Sequence, residues 1–111
     1  MGKPLGRPDA DNFIASFSNH TRAKAAPEID FVGPGVAVVS TVPTAGRAVM
    51  DGTSMACPAV TGMVARLLSA NGALLASARD QQRSDAILSM AFSAARPLGF
   101  GPEYEGNGWI R

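Results

Sequence analysis

With a single cysteine in 111 residues, Cys57, the chain can form neither an intrachain disulfide nor a cysteine cluster for zinc. Histidine is as scarce, with His20 alone. Charge is thin: 17% of residues are charged, the net charge is +1, and the basic residues form no stripe interleaved with aromatics. That pattern excludes nucleic acid as the expected partner. Long apolar runs are missing as well. MVARLL (63–68) is broken by Arg66, too short for a membrane span, so no membrane association is expected. The opening MGKPLGRPDADNF has no apolar run like that of a signal peptide, and Gly6 defeats a myristoylation pattern at Gly2. Internal repeats and low-complexity tracts are absent. Apolar residues are plentiful at 46%, enough for the core of one small domain and too many for disorder throughout.

Proline and glycine divide the chain into readable pieces. Residues 1–12 carry Gly2, Pro4, Gly6 and Pro8 and read as an irregular lead-in. FIASFS (13–18) alternates weakly, as a short strand or an extended turn, and NHTRAKAAPE (19–28) is a polar loop. IDFVGPGVAVVSTV (29–42) holds two β-rich runs broken at Gly33-Pro34-Gly35; VAVVSTV is the best strand in the chain. Residues 43–46 form a turn, and RAVM (47–50) is an extended approach to Gly52.

From Ser54 the pattern changes. SMACPAVTGMVARLLSA (54–70) is apolar on nearly every side, which predicts a buried helix with Pro58 near its first turn and Asn71-Gly72 as its C-cap. A second helix is predicted from Ser84 as N-cap to a stop at Arg96-Pro97, with Ala86, Ile87, Met90, Ala91 and Ala94 on one face. ALLASARDQQR (73–83) reads as a further helical turn, LGFGPEYEGNG (98–108) as a glycine-rich loop, and WIR (109–111) as the start of a strand.

Ser54 draws attention because a helix N-terminus presents unpaired amides and the positive end of the helix dipole. A serine there can attack a carbonyl while its own N–H helps hold the developing oxyanion. Gly52 and Ala56 keep the approach clear. The plain alternative is that Ser54 simply caps the helix. An α/β-hydrolase elbow, Gly-x-Ser-x-Gly, fails at Ala56.

GTSMACPAVTGMVARLLS (52–69) resembles the nucleophile-serine motif of the subtilisin-like serine proteases, the subtilases. That family writes Gly-Thr-Ser-Met-Ala, a small residue, Pro, usually His, Val, a small residue, Gly. IASFSNHT (14–21) is similar to the Ala-Ser-Phe-Ser stretch before it, and IDFVGPGVAVVSTVP (29–43) to a strand with an Ala-Pro-Gly turn, where this chain has Gly33 in place of Ala. YEGNGWIR (104–111) is similar to the Gly-x-Gly close of many family domains. The four blocks stand in family order.

The resemblance implies an α/β class: residues 13–111 would be the C-terminal fragment of a three-layer, parallel-sheet catalytic domain, with a buried helix after the nucleophile. It implies Ser54 as the nucleophile of a serine endopeptidase, the Ser54 amide as half of the oxyanion hole, and Thr53 flanking it. Cys57 takes a small-residue position, with packing as its expected role, and Ala59 stands where the family usually has His. Calcium is common in the full-length family domain, but no cofactor is expected in this chain. Glu28 and Asp30 could join such a site, and solvated loop carboxylates are the plainer reading. A secreted setting and peptide or protein substrates are implied in the same way.

A serine hydroxyl needs a base to take its proton, and the base needs an orienting carboxylate. The family's Asp-Ser/Thr-Gly and His-Gly-Thr-His motifs and its oxyanion Asn are not in this sequence. A triad improvised from Asp11, His20 and Ser54 is the alternative; Asp9, Asp30 and Asp51 are the other upstream aspartates, and Asp51 reads as a turn residue. The isolated chain is therefore expected to be inactive without a complementing N-terminal fragment. The competing reading is a non-catalytic binding or regulatory module derived from a protease. Uncovered apolar surface also predicts association when the chain is alone.

Overall fold

The run read as the best strand folds back on the segment after it. Val38–Val42 (β1) and Gly46–Met50 (β2) pair antiparallel, Val38 opposite Met50 and Val42 opposite Gly46. Thr44 and Ala45 turn the chain with φ of 67° and 61°, left-handed values without a glycine at either position. The structure is a computed structural model that describes residues 11–21 and 29–110. Residues 1–10 of the lead-in, with Asp9, residues 22–28 of the polar loop, with Pro27 and Glu28, and Arg111 lie outside the described residues. FIASFS takes the turn alternative: the Ser18 amide donates to the Ala15 carbonyl at 3.0 Å, and Ile14 and Ala15 are buried.

Helix Thr53–Ser69 (α1) follows β2 after a two-residue step. It begins one residue before the expected start, and Pro58 falls at the sixth helical position, in the second turn. The expectation of a buried helix is corrected here: none of its residues is buried. The reason is one-sided packing. Val60, Met63, Val64 and Leu67, spaced as one helical stripe, pack partly buried against Ala91, Ala95 and Ile110. No described element covers the opposite faces, so apolar side chains there stay in contact with solvent.

Asn71 is not part of a C-cap glycine motif. Its amide closes α1 on the Leu68 carbonyl at 3.0 Å, while its Oδ1 accepts from the Leu74 amide at 3.2 Å and opens the single-turn helix Gly72–Leu75 (α2). The next helix, Gln81–Ala94 (α3), is capped by Asp80 and not by Ser84, with the Asp80 carboxylate accepting from the Arg83 amide at 2.9 Å. Asp and Ser are equally good caps, and Asp80 is the one that stands where the chain turns from extended to helical. Arg83 ties α2 to α3 by donating to the carbonyls of Leu74 and Leu75. On the inner face of α3, Ala91 is buried, with Ile87, Met90 and Ala94 half-buried; Ala86 is exposed.

The chain end closes the body. Ala95–Arg96 (β3) pairs antiparallel with Trp109–Ile110 (β4), and between them Pro102–Glu105 (α4) forms one turn inside the predicted glycine-rich loop. The buried Glu105 carboxylate accepts from the Leu98 amide at 2.8 Å and the Gly99 amide at 3.2 Å, so two loop donors are satisfied by one side chain. Segment 29–32 lies alongside: Val32 donates to the Gly108 carbonyl at 3.1 Å and forms a parallel bridge with Trp109. The class is α/β. The two sheets among the described residues are both two-stranded and antiparallel, and the bridge of Val32 with Trp109 is parallel. No helix among the described residues is long and apolar enough to cross a membrane.

Candidate active site

The cap of α1 is Gly52, with φ 151° and ψ 159°, a backbone setting that favours glycine, and no side chain caps the helix. Ser54 is therefore the second helical residue and does not serve as the cap. Its hydroxyl makes no hydrogen bond to any described residue, and both Thr53 and Ser54 are exposed. The first amides to find partners are those of Met55 and Ala56, which donate to the Gly52 carbonyl at 3.0 and 3.4 Å. The Thr53 and Ser54 amides donate to no described carbonyl. No acidic residue lies in the first turn to offset the positive end of the helix dipole. An exposed hydroxyl beside two free N–H groups can bond to an electrophilic carbon and hold negative charge on an adjacent oxygen.

Pro58 adds to this. A proline at that position cannot donate to the Ser54 carbonyl four residues earlier, and its ring crowds that carbonyl. The start of α1 is held from below by the glycine turn. Gly52 donates to the Gly35 carbonyl at 2.7 Å. A Cβ on Gly33 would stand 2.8 Å from Val60 Cγ2 and 2.9 Å from the Ala56 carbonyl, so the alanine of the related Ala-Pro-Gly turn would not fit without a shift. Gly33 in place of Ala is thus matched to how closely this turn approaches α1.

The residues considered for a base go elsewhere. His20 is half-buried, its ring 5.5 Å from that of Tyr104, and the neighbouring Thr21 donates to the Glu103 carbonyl at 2.8 Å, which places this loop at α4. The Ser54 hydroxyl is not hydrogen-bonded to it. Asp30 is exposed, and its carbonyl accepts from Asn107. Asp51 accepts from the Ala37 amide, a turn role. Among the described residues no group of three or more His, Cys, Asp or Glu side chains is arranged to hold a metal.

Cys57 is corrected from a packing thiol to an exposed one: it stands on the same helical stripe as Val60 and Val64, but beside an open cavity. Ala59 is half-buried. Beneath the start of α1 lies an open cavity of about 610 Å³, into which Thr53, Ala56, Cys57 and Val60 face from the helix and Phe31 and Trp109 from the body. The hydrogen bond from Ala37 to Asp51 is a feature of the site that the sequence alone does not show. Its only signal is an aspartate directly before the capping glycine.

The subtilase family model matches residues 8–101. An intracellular serine protease of Paenibacillus polymyxa is 34% identical over 106 residues, covering 96% of this chain and 30% of its own length. A cuticle-degrading serine protease of Arthrobotrys oligospora is 40% identical over 87 residues, covering 75% of this chain and 20% of its own. The subtilisin-like proteinase Mp1 of Magnaporthiopsis poae is 43% identical over 77 residues, 67% of this chain and 18% of its own. The chain spans less than a third of the length of each of these relatives. A match running from the lead-in through the Ser54 helix to the α4 turn has one meaning: the chain belongs to the subtilase family.

Proposed function

We propose that this chain is the nucleophile-bearing part of a subtilisin-type serine endopeptidase. The observation that carries the reading is the exposed, unbonded Ser54 hydroxyl beside its own free amide on the first turn of α1. The Ser54 oxygen bonds to a peptide carbonyl carbon as its proton passes to a base. The carbonyl oxygen takes the negative charge against the Ser54 N–H, with Thr53 alongside, and the amine leaves with a proton to give the acyl-enzyme. Water then releases the acid.

The base, its carboxylate and the second oxyanion donor are assigned to a complementing N-terminal fragment that carries the Asp, His and Asn motifs. That fragment would extend the parallel pairing begun at Val32 and Trp109 into the three-layer sheet and cover the exposed side of α1. Calcium and a secreted setting belong to that full domain. The relative named an intracellular protease is the reason to test export separately.

A fluorophosphonate probe, applied to the 111-residue chain with and without the N-terminal part of the Paenibacillus polymyxa relative, tests this. Labelling is expected at Ser54 in the mixture only, and not in Ser54→Ala. Stoichiometric labelling of the lone chain would overturn the need for a partner. An unlabelled Ser54 in a purified complex would remove the nucleophile assignment.

A further inference from the structure

We propose that Asp51 is a positioning residue for Ser54, acting through the base of the β1–β2 hairpin; this rests on the reaction proposed above. The ladder of the hairpin ends at the pair Val38–Met50. The next pair in register would be Ala37 with Asp51, but the ladder does not continue to it, and Ala37 has a left-handed φ of 54°. The Asp51 side chain takes over where the ladder stops: its Oδ1 accepts from the Ala37 amide at 2.6 Å. One residue on, the Gly52 amide donates to the Gly35 carbonyl at 2.7 Å. These two bonds fix both strands of the hairpin base at the point where the chain must enter α1.

The position gives the bond its consequence. Asp51 is followed by the capping glycine, then Thr53 and Ser54, so a rotation at Asp51 is carried directly to the hydroxyl and the free amides. Both Asp51 and Ala37 are exposed, so the bond competes with water and adds little to global stability. Orientation at a reacting atom is far less forgiving, since a misplacement of about 1 Å can cost on the order of a hundred-fold in rate. The structure therefore separates two effects that usually travel together: removal of the carboxylate leaves folding nearly intact and slows the step at Ser54. Asparagine keeps an Oδ1 acceptor of the same reach, so Asp51→Asn separates the acceptor from the charge.

The test measures hydrogen exchange at the Ala37 amide in the 111-residue chain, and inactivation by a fluorophosphonate in the complex with the N-terminal part of the Paenibacillus polymyxa relative. Asp51→Ala is expected to speed exchange at Ala37 about ten-fold and to lower kinact by about ten- to a hundred-fold at unchanged KI. Asp51→Asn should restore both to within about three-fold of the parent. If Asp51→Ala does not fold, Asp51→Ser, whose shorter side chain falls short of Ala37, replaces it. An unchanged kinact with accelerated exchange, unchanged exchange, or an Asp51→Asn as slow as Asp51→Ala overturns the inference while parent labelling upholds the reaction. If the parent complex is not labelled although exchange at Ala37 depends on Asp51, the reaction fails and this role falls with it.

Discussion

None of the 17 residues of α1 is buried, whereas the closing segment 95–110 buries Ala95, Phe100, Glu105 and Ile110. Composition alone would have ranked them the other way, because α1 is mostly apolar and the closing segment carries two glutamates and four glycines. The difference lies in who the neighbours are. Residues 95–110 are met by α3, by the strand-like segment at Asp30–Val32 and by their own return at β3–β4, through contacts of long sequence separation. Helix α1 meets the body along one stripe. Apolar residues are buried only when another layer supplies the surface, and a helix that is apolar all round carries faces that the described residues leave open.

The comparison breaks most readily at the glycines of the closing segment. Gly108 has φ of 104°, and a Cβ there would land on the Arg96 carbonyl; Gly106, with φ of 59°, faces the Ile29 carbonyl in the same way. Gly108→Ala is expected to cost about 3–5 kcal/mol or to prevent folding, because backbone strain and a backbone clash add. Urea unfolding followed by circular dichroism checks it, and a loss below about 1 kcal/mol would show that the clasp does not hold the body together. Next in size is Glu105→Ala, which removes the acceptor of the part-buried Leu98 and Gly99 amides and should cost about 1–3 kcal/mol. Glu105→Gln keeps one acceptor oxygen and should lose about half as much. On the other side of the comparison, Leu67→Ala trims the packed stripe of α1 and should cost about 1–2 kcal/mol, less than a fully buried leucine, because the site is only half-buried.

Local signals made part of this legible. The β-branched run at 36–42, the apolar helix after Gly52, the helix ending before Pro97 and the terminal strand at Trp109 all follow from residue type within a few positions. What the sequence hid depends on distant partners. Glu105 looks like one more polar residue in a glycine-rich loop until the chain brings the Leu98 and Gly99 amides to it. The hairpin loop gave no glycine or asparagine signal at Thr44 and Ala45, so its left-handed turn could not be read. At the site, Ser54 was visible because capping chemistry and motif converge on neighbouring residues. The bond from Ala37 to Asp51 spans 14 positions and leaves no periodic trace. The buried-helix expectation failed for a related reason: periodicity reports which faces are apolar, and cannot report whether a covering layer is supplied.

The smallest effect on stability, and the sharpest test of the uncovered side, lies on the hairpin. Val39 and Val49 stand opposite one another at 62% and 63% exposure, with Met50 beside them at 49%. An apolar cross-strand pair facing water lowers the cost of meeting a second apolar surface. The double substitution Val39→Thr with Val49→Thr keeps β-branching, and hence strand preference, while placing hydroxyls on that face. Unfolding free energy should therefore change by no more than about 0.5 kcal/mol. Sedimentation should show the parent chain associating as concentration rises and the double variant associating less. If the parent sediments as a single monomer and unfolds cooperatively, the open faces of α1 and the hairpin are stable in water by themselves, and the contrast with the closing segment is one of burial without any consequence for association.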